Sequence, residues 1–234
     1  MSLFAISDLH LSFSPDVDKP MDNFGSRWVN HASRLKENWE KIIRPCDTVI
    51  IPGDISWGLK LDEAMPDLEW VDSLPGRKIM LKGNHDLWWT SIKKLNSSFE
   101  TISFLQNDCI YAEGVYICGS RGWITPDNDD FTDADDKIYK RELLRLEMSL
   151  ESARSCQKEQ PGEILGIMHF PPVTKVSRFS GFQQIFMDYG VRKVIYGHIH
   201  GEDGFRSCIK GDYHGTDYQL VSLDYLNCMP AKIR

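Results

Sequence analysis

Five short apolar segments, each followed at once by polar residues, constrain the fold of this chain more than any other feature. They are rich in Ile, Val and Leu, the pattern of strands that are covered on both faces. Stretches with apolar residues at helical spacing separate many of them, and alternating strands and helices predict an α/β fold. The five predicted strands are Leu3–Ser7, Thr48–Ile51, Lys78–Leu81, Ile164–Met168 and Lys193–Tyr196.

The longest predicted helix, Lys137–Ser155, has an apolar face among charged residues. Before it lies Asp127–Asp136, which holds six aspartates and which we expect to be a solvated loop bordering a functional site. No repeat or linker divides the 234 residues, so one domain over residues 1–234 is predicted. Other helices are predicted at Trp28–Ile43, Ala64–Val71 and Phe182–Tyr189, and other strands at Thr101–Phe104, Ile110–Ala112, Val115–Cys118 and near Tyr218–Ser222.

Composition excludes several classes of protein. The net charge is −7 and no basic face is evident, which disfavours duplex nucleic acid as a partner. No stretch approaches 18 apolar residues and the first residues lack a basic signal region, so neither a membrane span nor secretion is expected, and a cytoplasmic location is predicted. The six cysteines include no CxxC pair, so we expect buried, reduced thiols rather than a zinc ribbon or a disulfide framework.

The histidines carry the strongest functional signal. Five of the seven lie directly after the five predicted strands, and so do Asp8, Asp54 and Asn84. Because ligands of open α/β sheets bind beyond the carboxyl ends of the strands, these side chains are expected at one rim. The five histidines are His10, His85, His169, His198 and His200, whereas His31 and His214 lie outside the pattern and are expected at the surface.

Each short motif also has an ordinary structural explanation when it is taken alone. Asp54 after Gly53 could cap a helix, and the segment Gly83–Asp86 could be a tight turn. A single histidine such as His169 is often structural. Two histidines two residues apart between glycines, as in Gly197–Gly201, are harder to explain without a ligand. Their joint occurrence at five strand ends favours a metal site.

These five motifs, in this order, resemble those of the calcineurin-like metallophosphoesterases. They run from position 8 to position 200, and the segments Ser120–Trp123 and Tyr218–Asn227 are similar to a bacterial group of serine/threonine phosphatase-like proteins. The resemblance implies a sandwich of two central mixed β-sheets flanked by helices. The motifs are Asp8-x-His10, Gly53-Asp54, Gly83-Asn84-His85-Asp86, His169 and Gly197-His198-x-His200.

The resemblance also implies a metal-dependent phosphoester hydrolase, a phosphatase or phosphodiesterase, with two metal ions and a bridging hydroxide as nucleophile. Asp54 would bridge the ions, His85 would lie beside the substrate and Asp86 would support His85. Arg121 is a candidate phosphate contact, together with Asn84 and His85, although an ordinary surface arginine is equally compatible with the sequence. The first ion would be held by Asp8, His10 and His200, and the second by Asn84, His169 and His198.

This ligand set suits phosphoester hydrolysis. Two ions about 3.5–4 Å apart clamp phosphoryl oxygens. Since only two of the seven ligands are carboxylates, two divalent ions leave a formal charge of about +2, which attracts phosphate to an acidic protein. His85 is then placed to protonate or stabilise the leaving oxygen. Nitrogen and oxygen ligands with open positions fit Mn, Fe, Zn or Co, and the sequence does not select among these transition metals.

Two departures from the phosphoprotein phosphatases bear on the substrate. Trp57 stands where those enzymes have a carboxylate in the second motif, and Asp86 stands where they often have Glu. A phosphorylated small molecule or a nucleotide is therefore as compatible with the sequence as a phosphoprotein. A nuclease and a non-enzymatic interaction module on the same fold are the alternatives. Trp57, Trp88, Trp89 and Trp123 lie near the motifs and fit either the wall of a cleft or the core.

Overall fold

The structure is a computed structural model that describes residues 1–175 and 179–234, and its strands form two mixed sheets. The first sheet has the order β11-β1-β2-β3-β4, and the second has the order β5-β6-β7-β8-β10-β9. The strands are β1 (Leu3–Ala5), β2 (Thr48–Pro52), β3 (Arg77–Leu81), β4 (Ile102–Leu105), β5 (Cys109–Ala112), β6 (Val115–Ser120), β7 (Glu163–Met168), β8 (Lys193–Tyr196), β9 (Gly211–Tyr213), β10 (Thr216–Leu220) and β11 (Ala231–Lys232).

Parallel pairing dominates the middle of both sheets. Strands β1 to β4 pair in parallel, and so do β6, β7, β8 and β10. The antiparallel strands β11, β5 and β9 lie at the sheet edges. All the parallel strands of one sheet therefore end at the same edge, as the sequence predicted for an α/β fold. The sandwich of two mixed sheets flanked by helices is confirmed.

The core has three layers because the central strands are covered on both faces. Ile50, Ile79 and Ile167 point between the two sheets, where they form one apolar cluster. Their neighbours Val49 and Met80 face the helices on the other side of the first sheet. Burying an Ile or Val side chain contributes about 1.5–3 kcal/mol, so these runs stabilise both layers at once. This explains why the strands have continuous apolar sequences instead of alternating ones.

Helices cover the outer faces of the sheets, and some of their bounds differ from the predicted ones. The longest helix begins at Asp133, so the last four residues of the predicted acidic loop form its first turn. Thr132 and Asp135 cap this helix reciprocally, and acids in a first turn interact favourably with the helix dipole. The helices are α1 (His31–Ile42), α2 (Leu61–Ser73), α3 (Ile92–Asn96), α4 (Asp133–Cys156), α5 (Gly181–Asp188) and α6 (Gly201–Ser207), with a 3₁₀ helix at Met21–Phe24.

The cysteines are free thiols, but only half of them are buried. Cys118, Cys208 and Cys228 lie in the core, as expected. The expectation is wrong for Cys46 and Cys156, which are exposed because they lie in a turn and at the end of α4. Within residues 1–175 and 179–234, no helix combines the length and apolar character needed to span a bilayer.

Candidate metal centre

The predicted ligands all lie just beyond the carboxyl ends of parallel strands. Asp8 and His10 follow β1, and Asp54 follows β2. The same edge receives Asn84 and His85 after β3, His169 after β7, and His198 and His200 after β8. Because the two sheets pack face to face, the ends of β1, β2 and β3 meet those of β7 and β8. The seven predicted ligands therefore come together, with His85 beside them.

Four of these residues have an unusual backbone. Asp8, His10, Asp54 and His198 have φ values of 59°, 45°, 53° and 69°, in the left-handed region that few residues other than glycine occupy. Each such residue costs on the order of 1 kcal/mol or more, and strain of this kind is concentrated at functional sites. The left-handed turns direct several strand ends toward one point.

Glycines allow the segments to approach closely. A Cβ atom at Gly83 would lie 2.1 Å from Oδ1 of Asp54, and one at Gly197 would lie 2.2 Å from the Ser7 hydroxyl and 2.5 Å from the Asp8 carboxylate. Any side chain at either position would displace a predicted ligand. These glycines are therefore needed for space.

The ligand atoms form two groups. Those of Asp8, His10 and His200 lie within 4.8 Å of one another, and Nε2 of His200 is 3.5 Å from Oδ1 of Asp8. Asp54, His169 and His198 form the second group under the same limit.

Asp54 and Asn84 complete this arrangement. Oδ2 of Asp54 is 3.3 Å from Nε2 of His169 and 3.8 Å from Nε2 of His10, so it lies between the two groups. Oδ1 of Asn84 is 2.7 Å from Nε2 of His169, which places Asn84 beside the second group. Imidazole nitrogens with carboxylate and amide oxygens are donors that suit Mn, Fe, Zn or Co. The residues therefore fit a pair of transition-metal ions.

Two histidines are held neutral by their surroundings. Burial lowers the pKa of His10 to about 4 and that of His198 to about 3, although Asp8 and Asp54 oppose the shift. Burial raises the pKa of both carboxyls, but the neighbouring histidines outweigh it. The pKa of Asp54 falls to about 2 because of His169, and the pKa of Asp8 is held below its usual range by His200. Neutral imidazole and ionised carboxylate are the forms that bind metals.

The pKa values of the other two histidines are raised by the neighbouring carboxylates. Burial alone would lower their pKa, but Asp54 raises the pKa of His169 to about 9 and Asp8 raises that of His200 to about 10. Because only a neutral ring coordinates a metal, metal binding would compete with protonation of these two rings.

Asp224, which the sequence reasoning missed, contacts one of the predicted ligands. This buried carboxylate accepts a hydrogen bond from Nδ1 of His200 at 2.9 Å and another from the backbone amide of Gly201 at 3.1 Å. His169 is oriented differently, because its Nδ1 lies 3.0 Å from the carbonyl oxygen of Pro52. Such partners fix the ring orientation of a histidine ligand. The available signal in the sequence was an acid that follows the apolar residues at the end of β10 and just beyond it.

Asp86 contacts the backbone of two loops of the centre. Its buried carboxylate accepts hydrogen bonds from the backbone amides of Asp54, Ile55, Ser56 and Gly83, at 2.9, 2.9, 3.3 and 2.7 Å, and from Nε1 of Trp88 at 3.1 Å. Burial and the Asp54 carboxylate raise the pKa of Asp86 to about 6, whereas these N–H groups favour its ionised form. Asp86 therefore joins the loops after β2 and β3, and its support of His85 stays a prediction.

His85 lies at the edge of the centre and packs on a tryptophan. Its ring centroid is 4.3 Å from that of Trp57, and its backbone amide donates to Oδ1 of Asp54 at 2.8 Å. Trp57 also stacks on His10, with centroids 4.7 Å apart. Burial lowers the pKa of the half-buried His85. Its ring belongs to neither ligand group, and its position beside the substrate stays a prediction.

Arg121 lies in a cluster of ion pairs. Its guanidinium is 3.8 Å from the buried carboxylate of Glu142 and 4.6 Å from the ring centroid of Trp123. Glu142 also pairs with Arg141 and Arg145, at 3.2 and 2.9 Å. Arg121 lines a small separate cavity together with Glu142, and its contact with a phosphate stays a prediction.

The remaining aromatic residues and histidines divide between core and surface. Trp88 is buried, and Trp123 donates to Asp135 at 2.8 Å. His214 is exposed in a turn, as expected. The expectation is wrong for His31, which is half-buried because its Nε2 lies 3.0 Å from the carbonyl oxygen of Leu9 and so packs against the first motif.

A cleft of about 560 Å³ opens over the two ligand groups. One side is formed by side chains of the centre itself, and the other by the 3₁₀ helix, the segment after it and Trp57. The first set includes His10, Asp54, His85, His198 and His200, and the second includes Met21, Phe24, Arg27, Trp28 and Trp57.

Comparisons with known proteins agree with this arrangement. The family model for calcineurin-like phosphoesterases matches residues 1–202. The Gene 66 protein of Mycobacterium phage L5 is 34% identical over 80 residues, which are 34% of this chain and 37% of that protein's length.

Two solved structures have a similar fold. A protein of unknown function, AQ665 from Aquifex aeolicus, has a TM-score of 0.51 at 18% identity, covering 99% of this chain and 95% of that one. The phosphopantetheinyl hydrolase of Mycobacterium tuberculosis has a TM-score of 0.50 at 16% identity, covering 94% and 88%. At these identities the likeness concerns the fold alone.

Proposed function

Because the chain belongs to the calcineurin-like phosphoesterase family, we propose that it hydrolyses phosphoesters at a site for two metal ions. The observation that carries this proposal is the pair of ligand groups with the Asp54 carboxylate between them. A single-ion site would need only one of these groups. Two groups beside an open cleft favour a substrate that bridges two cations, as a phosphoryl group does.

The ligands divide between the two sites as the family motifs suggest. Asp8, His10 and His200 would hold the first ion, and Asn84, His169 and His198 would hold the second, with Asp54 available to both. When bound, the ions polarise the phosphoryl group and lower the pKa of an attacking water.

The protein's own side chains set the charge and the geometry of the site. With only Asp8 and Asp54 as anionic ligands, two divalent ions leave about two positive charges to attract the substrate. Asp224 and the carbonyl oxygen of Pro52 hold the rings of His200 and His169 in orientation. The charge affects the binding of the substrate, and the ring orientation affects the binding of the metal ions.

His85 acts on the leaving group. The oxygen of the broken ester bond gains charge, and an N–H of the adjacent imidazole can stabilise it by a hydrogen bond or transfer a proton to it. The position of His85 at the edge of the cleft, outside both ligand groups and against Trp57, supports this role.

The substrate is a phosphorylated small molecule or a nucleotide. Trp57 fills the position of a phosphoprotein phosphatase carboxylate and forms a wall beside His10 and His85. The cleft volume of about 560 Å³ is that of a small-molecule site. The overall charge of −7 disfavours a nuclease that grips a duplex.

Hydrolysis of p-nitrophenyl phosphate and bis-p-nitrophenyl phosphate by the Mn²⁺-loaded protein tests the proposal. We expect turnover of at least one ester, a loss of about 10²-fold or more for His85→Ala with both ions retained, and loss of one ion and of activity for Asp54→Asn. His214→Ala, an exposed histidine outside the site, is the control and should behave as the wild type. If two ions bind and neither ester is cleaved, the protein is not a hydrolase of this kind.

A further inference from the structure

The cleft extends well beyond the space that a phosphoryl group needs. Its volume is about 560 Å³, whereas a water molecule takes about 30 Å³ of liquid and a phosphoryl group has the size of only a few waters. The space beyond the ligand groups is bounded by Met21, Phe24, Trp28 and Trp57. This surface, the ring wall, consists of three aromatic side chains and one thioether.

Phe24 is the least expected member of the ring wall. It ends the 3₁₀ helix Met21–Phe24, precedes Gly25 with φ of 113°, and exposes 66% of its side chain to solvent. A single exposed apolar residue is ordinary on a protein surface. Phe24 is not isolated, because it continues the wall of a cleft whose other aromatic members, Trp28 and Trp57, are buried or half-buried.

The ring wall adjoins the residue that is proposed to act on the leaving group. Trp57 packs on His85, with ring centroids 4.3 Å apart, and His85 is the residue proposed to stabilise the leaving oxygen. A substituent on that oxygen is therefore brought against Trp57. The faces and edges of aromatic residues prefer other rings in offset or edge-on contact.

Basic groups lie at the edge of the ring wall. The guanidinium of Arg27 is held by Glu202 at 2.5 Å and by the carbonyl oxygen of Asp224 at 3.1 Å. The ammonium of Lys19 lies 5.7 Å from the ring centroid of Trp57. The cleft thus combines aromatic side chains with a few polar groups, which is the usual composition of a site for a ring-bearing small molecule.

We propose that the ring wall binds a planar ring carried by the leaving group, so that the protein selects phosphoesters of ring-bearing alcohols, either aryl-substituted or nucleobase-bearing. This inference rests on the proposed function for the identity of the leaving group. Phe24 would be the specificity-determining residue, because it lines the cleft and belongs to neither ligand group.

Two pairs of substrates test the inference while keeping the reacting bond alike. Benzyl phosphate and ethyl phosphate are both esters of primary alcohols, and so are adenosine 5′-phosphate and ribose 5-phosphate. We expect kcat/KM of the Mn²⁺-loaded protein to favour the ring-bearing member of at least one pair by about tenfold, which corresponds to 1.4 kcal/mol. The pair with the larger ratio distinguishes an aryl group from a nucleobase.

Substitution of Phe24 links the preference to the wall. Phe24→Ala should reduce the ratio by about threefold or more, and Phe24→Leu, which retains apolar area, should reduce it less. Phe13→Ala is the matched control, because Phe13 is also exposed, at 44%, but packs on Trp70 away from the cleft. Equal ratios for wild type and Phe24→Ala would overturn the inference and leave the hydrolase proposal standing.

Binding of benzylphosphonate and ethylphosphonate, which are not hydrolysed, separates the two proposals. A preference for benzylphosphonate that Phe24→Ala removes would support the ring wall even if no ester were cleaved, and in that case only the hydrolase proposal fails. Equal calorimetric affinities for the two phosphonates and for the matching nucleotide pair would refute the ring wall directly.

Discussion

Asp86 offers a test of how the loops around the candidate metal centre are held. Its two carboxylate oxygens accept five N–H hydrogen bonds. Oδ2 accepts from the amides of Asp54 and Gly83, and Oδ1 from the amides of Ile55 and Ser56 and from the indole of Trp88. None of these donors has water as an alternative, because the side chain of Asp86 is fully buried.

Asp86→Asn keeps the shape but changes the pattern of acceptors. The amide oxygen can replace Oδ1 and satisfy three donors, but the NH2 group then faces the N–H groups of Asp54 and Gly83. Each buried donor left without an acceptor costs about 1–3 kcal/mol, so two of them predict a loss of about 2–6 kcal/mol. That is a large part of the 5–15 kcal/mol by which a typical domain is stable.

Urea unfolding of the metal-free protein, followed by circular dichroism in EDTA, measures this loss without a contribution from metal binding. Asp67→Asn is the matched control. Asp67 is equally buried, but among the described residues it accepts only from the amide of Phe13, at 2.7 Å, and from the Ser56 hydroxyl. Since a hydroxyl can also accept from NH2, this variant should lose less than about 1 kcal/mol. If both variants lost the same free energy of unfolding, the argument from the number of unsatisfied N–H donors would be refuted.

Two further predictions concern the neighbours of the site and a distant thiol. Asp224→Ala should weaken Mn²⁺ binding by about 10–100-fold in calorimetry, because His200 loses its orienting acceptor. The control is Asp203→Ala, since Asp203 is exposed. Equal Mn²⁺ affinities of the two variants would contradict the role of Asp224. Hydrogen bonding from Cys118 lowers the pKa of Cys109 to about 6, so the reactive thiolate is present above that pH. Iodoacetamide should therefore label Cys109 with a midpoint near pH 6, and a midpoint near 8–9 would contradict the shift.

The sequence predicted the sheets well because the strands are covered on both faces. A strand such as β2 needs apolar residues at every position, and this local requirement is visible without knowledge of the fold. The position of the ligands was also predictable, since parallel strands end at one edge. The assignment of residues to two ions came from the family motifs, and the distances around Asp54 are compatible with it.

The parts that were missed depend on contacts between distant segments. The role of Asp86 depends on backbone amides 30 to 32 residues away, and backbone amides leave no trace in a sequence pattern. Asp224 contacts His200 across a separation of 24 residues. The start of α4 was missed because three acids in its first turn suggested a loop, although Thr132 followed by Asp135 was a local signal for a cap.

The left-handed backbone at Asp8, His10, Asp54 and His198 restricts which substitutions the centre can accept. Asp, Asn and His tolerate this conformation better than most residues, and they also bind metals. Glu and Cys coordinate the same metals but lack that tolerance. Exchange of ligands to change metal preference is therefore limited by sterics as well as by coordination chemistry, and His200 and His169, which lie outside the left-handed positions, are the better places to begin redesign.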